Sequence, residues 1–156
     1  MKAAVERAKA AGEAISGDVT APVNMHNPYG NFYFYASHLA EMSMTVFGYN
    51  PSSVMAYRSG DQITAVVRYS DYDITNRLLE GNYNYTVLFN QKSRPLFREV
   101  DISLIYEHEC ENFARMLRTG KMDQSYEELI MPVFYLDAVE RSFTNGCSCE
   151  IEKPVV

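Results

Sequence analysis

The sequence has no tryptophan, only three cysteines and no long apolar run. A membrane-spanning helix needs about 20 consecutive apolar residues, and no stretch of even ~18 occurs here. The segment from Met1 to Ala14 carries several charges and has no apolar core of the kind that a secretory signal contains. We therefore expect a cytoplasmic protein that is not secreted and does not span a membrane.

The cysteines are too few and too irregularly spaced for a disulfide scaffold, which is typical of a reducing compartment. His108 lies two residues before Cys110. On a helix such positions point in nearly opposite directions, so the two side chains cannot share a metal ion. Cys147 and Cys149 have no second pair that would complete a zinc site. The sequence therefore predicts no metal centre.

Positive charge is also scarce, since fourteen Lys and Arg stand against twenty Asp and Glu and give a net charge of −6. Binding to nucleic acid normally requires a basic stripe or patch, so this balance argues against it. The hydrophobic share of 47% and the charged share of 22% are ordinary for a globular protein. At this length we expect one domain over residues 1–156.

Tyrosine and phenylalanine are abundant, with twelve and eight residues. Tyrosine combines an apolar ring with a polar hydroxyl, which suits the half-exposed face of a sheet. The same composition would suit a surface that binds carbohydrate. Both interpretations stay open at this point.

Local patterns in the first third predict a helix, a strand and a second helix. Good helix formers over residues 2–11 end at Gly12, and β-branched residues then predict a strand over residues 13–23. Asn, Pro and Gly over residues 24–31 indicate a loop. A helical period begins at about Tyr33. Its predicted apolar stripe comprises Tyr35, Leu39, Met42 and Val46.

The middle of the chain alternates between apolar and polar residues, which is the period of a strand. Short turns join these segments with no helix between them, which indicates a largely antiparallel sheet. The predicted strands are Val54–Arg58, Ile63–Tyr69, Thr75–Leu79, Tyr83–Phe89 and Leu96–Ser103.

Two further helices are predicted after the sheet, followed by a short edge strand in the tail. The first ends at Gly120; the second begins at a capping box of Ser125 and Glu128 and ends at Gly146. Pro132 should bend the second helix or shift its start. These elements predict one α+β domain. The apolar stripes are Tyr106, Cys110, Phe113 and Leu117 in the first helix and Leu129, Val133, Leu136 and Phe143 in the second.

Three strings stand in a characteristic order. Ala36–Met42 precedes Phe47-Gly48, the string Phe113–Gly120 follows, and Ser125–Glu128 comes last. In this order and at these separations they resemble the carboxy-terminal domain of the glucose-fructose oxidoreductase / inositol dehydrogenase / MocA family. The third string continues with Ala138, Ser142 and Gly146, so the resemblance covers roughly residues 12–146.

The resemblance implies a fold, a function and the need for a separate Rossmann domain. In that family an open, mostly antiparallel sheet packs helices on one face, beside a Rossmann domain that binds NAD or NADP. This implies the substrate-binding and oligomerisation domain of a sugar or polyol oxidoreductase. No Gly-x-Gly-x-x-Gly follows a predicted strand here, so we expect the chain alone to bind no dinucleotide. A Rossmann domain would have to act in cis or in trans.

His38 is the candidate catalytic residue, because oxidation of a carbinol needs a base for the hydroxyl proton. Four residues earlier the family usually has Asp, whereas this chain has Phe34, which weakens the prediction. His38 could instead be a helix-surface or partly buried histidine without a catalytic role. The loop that contains His26 and Asn31 could be an ordinary polar connection between elements. The candidate substrate-binding residues are His26, Asn31, Tyr35 and Glu41.

Two functions stay open. The first is the oxidoreductase domain described above; the second is a stand-alone, non-catalytic module for binding or dimerisation, favoured by the missing phosphate loop and by Phe34. In either case we expect a homo-oligomer through the uncovered sheet face. Residues such as Tyr83, Tyr85 and Phe89, or their alternates, would form that face.

Overall fold

The structure is a computed structural model that describes residues 1–154. Its elements run from a short helix through a mostly β middle to two helices and a closing strand. The helices are α1 (Lys2–Ala10), α2 (Tyr33–Phe47), α3 (Ile105–Thr119) and α4 (Tyr126–Asn145). The strands are β1 (Ser16–Val23), β2 (Ser53–Ser59), β3 (Gln62–Arg68), β4 (Asp73–Glu80), β5 (Thr86–Asn90), β6 (Leu96–Glu99) and β7 (Cys149–Glu150).

The strands form one open sheet in the order β6-β5-β1-β4-β3-β2-β7. Only β1 and β4 pair in parallel within the described chain; all other neighbours are antiparallel. The parallel pair arises because the chain returns from β1 through α2 and the β2–β3 hairpin before it forms β4. The predicted α+β class with an open, mostly antiparallel sheet is confirmed.

One face of the sheet is covered by α2, which packs on β1, and by α4, which packs on β2 and on α2. The strand residues under these helices are apolar and fully buried, as burial on one face requires. Val19, Ala65, Ile74 and Phe89 are examples. None of the helices in residues 1–154 combines the length and the apolar character needed to cross a membrane.

A buried polar network joins the two helices to the sheet. Asn76 of β4 accepts a hydrogen bond from the Ser43 hydroxyl (3.1 Å) and donates to the Tyr135 hydroxyl oxygen (2.9 Å). Burial raises the pKa of Tyr135, so its hydroxyl stays protonated. Because these groups are satisfied only in one arrangement, the network fixes α2, β4 and α4 relative to one another.

The predicted stripe of α2 is wrong in detail. Of its members only Leu39 is fully buried, whereas Tyr35, Met42 and Val46 are half-buried. Small side chains allow the helix to approach the sheet closely, so the buried face is centred about one residue further along. That face contains Ala36, Ala40, Ser43, Met44 and Phe47.

Two predicted strands are shorter than expected because local turns interrupt them. The Asn82 carboxamide accepts from the Asn84 backbone N–H (3.2 Å), so β5 begins at Thr86 rather than at Tyr83. The Asp101 carboxylate accepts from the Ser103 N–H (2.9 Å), and β6 ends at Glu99. For the strand of Phe89, the structure selects the second of the two alternatives left open, since Phe89 is buried in the core and its neighbour Leu88 lies on the uncovered face.

α3 ends at Gly120 and α4 begins and ends as predicted, but the predicted apolar stripes of both helices are wrong. Pro132 is buried inside α4 and does not shift its start. In α4 the buried face includes Met131, Tyr135 and Val139, whereas Leu129 and Val133 are exposed. No residue of α3 is buried, so Cys110 does not belong to the core. The apolar stripe of α3 exists, but nothing in the described chain covers it.

Candidate functional site

His38 is exposed on α2, on the side of the helix that faces β5. Its ring lies 6.1 Å from the ring of Tyr85, measured between centroids, and the two planes meet at 82°. Tyr85 immediately precedes β5, which is the neighbour of β1, the strand beneath α2. The helix and the sheet therefore hold the imidazole at an accessible edge of the domain.

Two tyrosines lie close to this imidazole. Burial raises the pKa of Tyr85, and the nearby Tyr35 hydroxyl adds to the increase. Tyr35 lies one helical turn before His38 and is half-buried. A neutral Tyr85 hydroxyl can both donate and accept a hydrogen bond, as recognition of a ligand hydroxyl requires.

A groove of about 390 Å³ begins at Tyr85. One wall is the segment before β5 and the other is the end of β6 with the residues that follow it. The Val100 N–H donates to the Tyr85 carbonyl (2.8 Å) and holds the two walls together. Tyr85 therefore connects His38 to the groove. Its lining residues are Tyr83, Asn84, Tyr85, Glu99, Val100, Asp101 and Ile102.

The polar groups of this groove are hydroxyls, an amide and carboxylates, without a cationic side chain among the lining residues. A hydrogen bond from the Ser103 N–H lowers the pKa of Asp101, so this carboxylate stays ionised. Hydroxyl groups of a polyol both donate and accept hydrogen bonds, and this set can satisfy both roles.

The structure brings Tyr35 and Glu41 onto the same helix as His38 but places His26 elsewhere. The His26 Nε2 lies 3.7 Å from an oxygen of Asp61, at the turn between β2 and β3. Since β1 and β4 separate β3 from β5, this position is three strand spacings away from Tyr85, roughly 14 Å. His26 therefore lies beside the β2–β3 turn, whereas His38 lies beside Tyr85 at the start of β5.

Asn31 ends the loop that leads into α2. Its φ is 52°, and its N–H donates to the Asn27 carbonyl (2.8 Å). The Asn27 side chain accepts from the Tyr29 N–H (2.8 Å), so the loop is organised by its own hydrogen bonds. The carboxamide of Asn31 is exposed at the start of the helix that carries His38.

Sequence reasoning missed the groove residues Tyr85, Glu99 and Asp101 as site candidates. The signal that could have found them is the turn chemistry of Gly81-Asn82, which places the next tyrosines in a loop. Among residues 1–154, no cluster of three or more His, Cys, Asp or Glu side chains is arranged to hold a metal ion.

Comparison with known proteins gives a fold. No protein-family model matches the chain, and no curated protein matches it in sequence. Solved dehydrogenase structures do match. GenD2 from gentamicin A biosynthesis, in complex with NAD, superposes with a TM-score of 0.75 at 14% identity, over 96% of this chain and 60% of GenD2.

Two further structures agree. Levoglucosan dehydrogenase has a TM-score of 0.70 at 14% identity, over 99% of this chain and 63% of that protein. The WlbA dehydrogenase from Bordetella pertussis, in complex with NADH and UDP-GlcNAcA, has a TM-score of 0.61 at 18% identity, over 99% and 60%. The chain thus spans less than two thirds of these proteins. The chain shares its fold with the part of these dehydrogenases on which it superposes. The predicted resemblance is therefore confirmed at the level of the fold.

Proposed function

We propose that the chain is the substrate-binding and oligomerisation domain of an NAD(P)-dependent sugar or polyol oxidoreductase. The observation that carries the proposal is the exposed His38, flanked by Tyr35 and Tyr85 and joined to a polar groove. This arrangement stands on a fold that the chain shares with solved dehydrogenases over nearly its whole length.

In this function His38 holds the hydroxyl of the substrate and takes its proton while the carbinol is oxidised to a carbonyl. Tyr85, with a neutral hydroxyl, orients the neighbouring hydroxyl groups. The chain offers no Gly-rich phosphate loop, so a nucleotide-binding partner, in cis or in trans, would supply the hydride acceptor. We expect NAD or NADP in that partner and the cytoplasm as the compartment.

The test is binding of a neutral polyol to the chain. Titration with myo-inositol, followed by NMR, should shift the signals of His38 and Tyr85. His38→Ala should weaken binding by about tenfold, because it removes one hydrogen bond to the ligand. His108→Ala is the matched control, because His108 is an exposed histidine on α3. NADH added to the chain alone should give no saturable binding.

Equal loss of binding in both histidine variants, or no shift at His38, would refute the assignment. Saturable micromolar binding of NADH would contradict the expected need for a partner domain.

The second candidate function is a stand-alone binding or dimerisation module. Phe34 favours it, because this residue occupies the position of the family's usual Asp and is exposed on the helix of His38. The neighbouring coding sequence separates the two functions. A dinucleotide-binding segment directly upstream supports the oxidoreductase, whereas an unrelated upstream gene with its own stop supports the module.

We also propose that two copies pair through the open sheet face. Alternate strand residues point away from α2 and α4, and they form continuous rows across the sheet. The face is mixed: Tyr57 and Phe97 are exposed aromatic residues, and Asp18 pairs with Arg77 (3.4 Å). One such row runs through Met55, Val66, Thr75, Asp18, Leu88 and Phe97.

A further inference from the structure

The helix α3 presents a continuous apolar stripe to solvent. Tyr106, Phe113 and Leu117 are 79%, 58% and 67% exposed, and no residue of the helix is buried. An isolated helix of this length is marginal in water, and most helices gain their stability by packing an apolar face. Exposed apolar surface of this kind marks an interaction site.

We propose that a second copy of this chain covers α3, with the two helices antiparallel about a two-fold axis. The charges of the helix are segregated along its length: three glutamates lie in the first half, and the arginines lie in the second. Antiparallel pairing places the acidic half of each helix against the basic half of the other, whereas parallel pairing would oppose like charges. The residues are Glu107, Glu109 and Glu111, then Arg115 and Arg118.

The sizes of the stripe residues fit the same arrangement. Their spacing of 4, 3 and 4 is that of the seam of a coiled coil. In an antiparallel pair Tyr106 then lies opposite Leu117, and Cys110 lies opposite Phe113. A large ring thus meets a smaller side chain in each layer, so the seam is complementary to itself.

One charged pair flanks this seam. Arg115 already pairs with Asp123 of its own chain, on the side of α3 away from the stripe. Arg118 lies on the same side of α3 as Glu107, at the flank of the helix, and the antiparallel register brings its long side chain towards Glu107 of the second copy. Self-complementarity in charge and in size favours a second copy over an unrelated partner.

The contact is small. Fifteen residues make a helix about 22 Å long, so one helix pair buries less than the roughly 1,200 Å² of a stable interface. We therefore expect weak pairing through α3 alone. A simultaneous contact through the sheet face would strengthen it, because the second contact becomes intramolecular.

Disulfide trapping tests the geometry. In a Cys147→Ser, Cys149→Ser background, a chain that carries Cys110→Ser and Phe113→Cys, mixed with a chain that keeps Cys110, should form a disulfide between the two copies on mild oxidation. Cys110 is removed from the first chain because it lies three residues before position 113 on the same helix face and could form an intrachain disulfide. Asn112→Cys is the control, because Asn112 lies on the side of α3 away from the stripe. A covalent dimer with Phe113→Cys and little with Asn112→Cys supports the antiparallel pair; equal cross-linking, or none, overturns it.

A charge exchange tests the partner. Glu107→Arg and Arg118→Glu should each weaken self-association severalfold in sedimentation equilibrium, and the double variant should restore it. Both side chains are exposed, and far-UV circular dichroism of each variant checks that α3 stays folded. If single and double variants behave alike, a different partner, such as a nucleotide-carrying domain, covers α3. That result would leave the role of His38 untouched.

Discussion

Gly17 lies where β1, β5 and α2 meet. The ring of Phe47 stands directly above it, and a side chain at this position would meet both that ring and the Leu88 carbonyl. The absence of a Cβ therefore allows Phe47 to fill the core and to pack near Phe89, with the two ring centroids 6.4 Å apart. The close approach of helix and sheet depends on this residue.

Gly17→Ala should destabilise the protein by about 1–3 kcal/mol, because the new methyl group would lie only 2.5 Å from the Leu88 carbonyl oxygen and overpack the core. Urea unfolding measures the change. Ser16→Ala, at the exposed neighbouring position, is the control and should change stability by less than about 0.5 kcal/mol. If urea unfolding gave the same free energy for both variants, the helix and the sheet would have moved apart at Gly17 without loss of stability.

At the same scale, the sequence names His38 and Tyr35 as site candidates but not Tyr85. A histidine near an apolar helical stripe can be read from spacing, and its exposure agrees with a position just off that stripe. Tyr85 cannot be found in this way, because it follows His38 by 47 positions and reaches it only when β5 pairs with β1. His26 looks equivalent in the sequence, yet it lies near the β2–β3 turn.

At the scale of elements, the start of α4 is set by local chemistry. The Ser125 hydroxyl accepts from the Glu128 N–H (3.2 Å), and the Glu128 carboxylate accepts from the Ser125 N–H (2.8 Å). The two bonds satisfy groups that the helix cannot satisfy itself. For this reason the boundary was predictable from four residues.

Ser125→Ala should lower the free energy of unfolding by about 1 kcal/mol, since it leaves the first turn of α4 uncapped. Thermal or urea denaturation measures the loss. Thr144→Ala serves as the control, because this exposed residue in the last turn of the same helix makes no cap. A loss as large for Thr144→Ala would mean that general helix propensity, rather than the cap, is responsible.

The apolar faces of the helices were less predictable than their ends. In α2 small residues lie against the sheet, whereas larger residues such as Met42 and Val46 lie at the margins. Periodicity shows that a stripe exists, but it does not show which side approaches the sheet. In α3 the same period produced a stripe that lies in solvent. Only packing distinguishes a core stripe from an interaction surface.

At the scale of the whole molecule, α2 and α4 cover one face of the sheet. If the other face pairs with a second copy, a Tyr57→Asp, Phe97→Asp double variant should reduce the mass of the assembly in light scattering, since charge in an apolar contact is unfavourable. Tyr29→Asp is the control, because Tyr29 is exposed in the loop before α2. Phe113→Glu changes the stripe of α3 and leaves the sheet face intact, so its effect on the mass of the assembly reports on the α3 contact alone. A wild-type monomer would contradict both.

The sequence by itself determined the class of the fold, the order of helices and strands, and the ends of α3 and α4. These features depend on local periodicity, capping and glycine, which act over a few residues. Only the tertiary structure decided which residues meet at His38, that Phe89 lies in the core, and that α3 stays uncovered. Those outcomes depend on the order of strands in the sheet and on the fit between its face and the helices, which bring distant residues together.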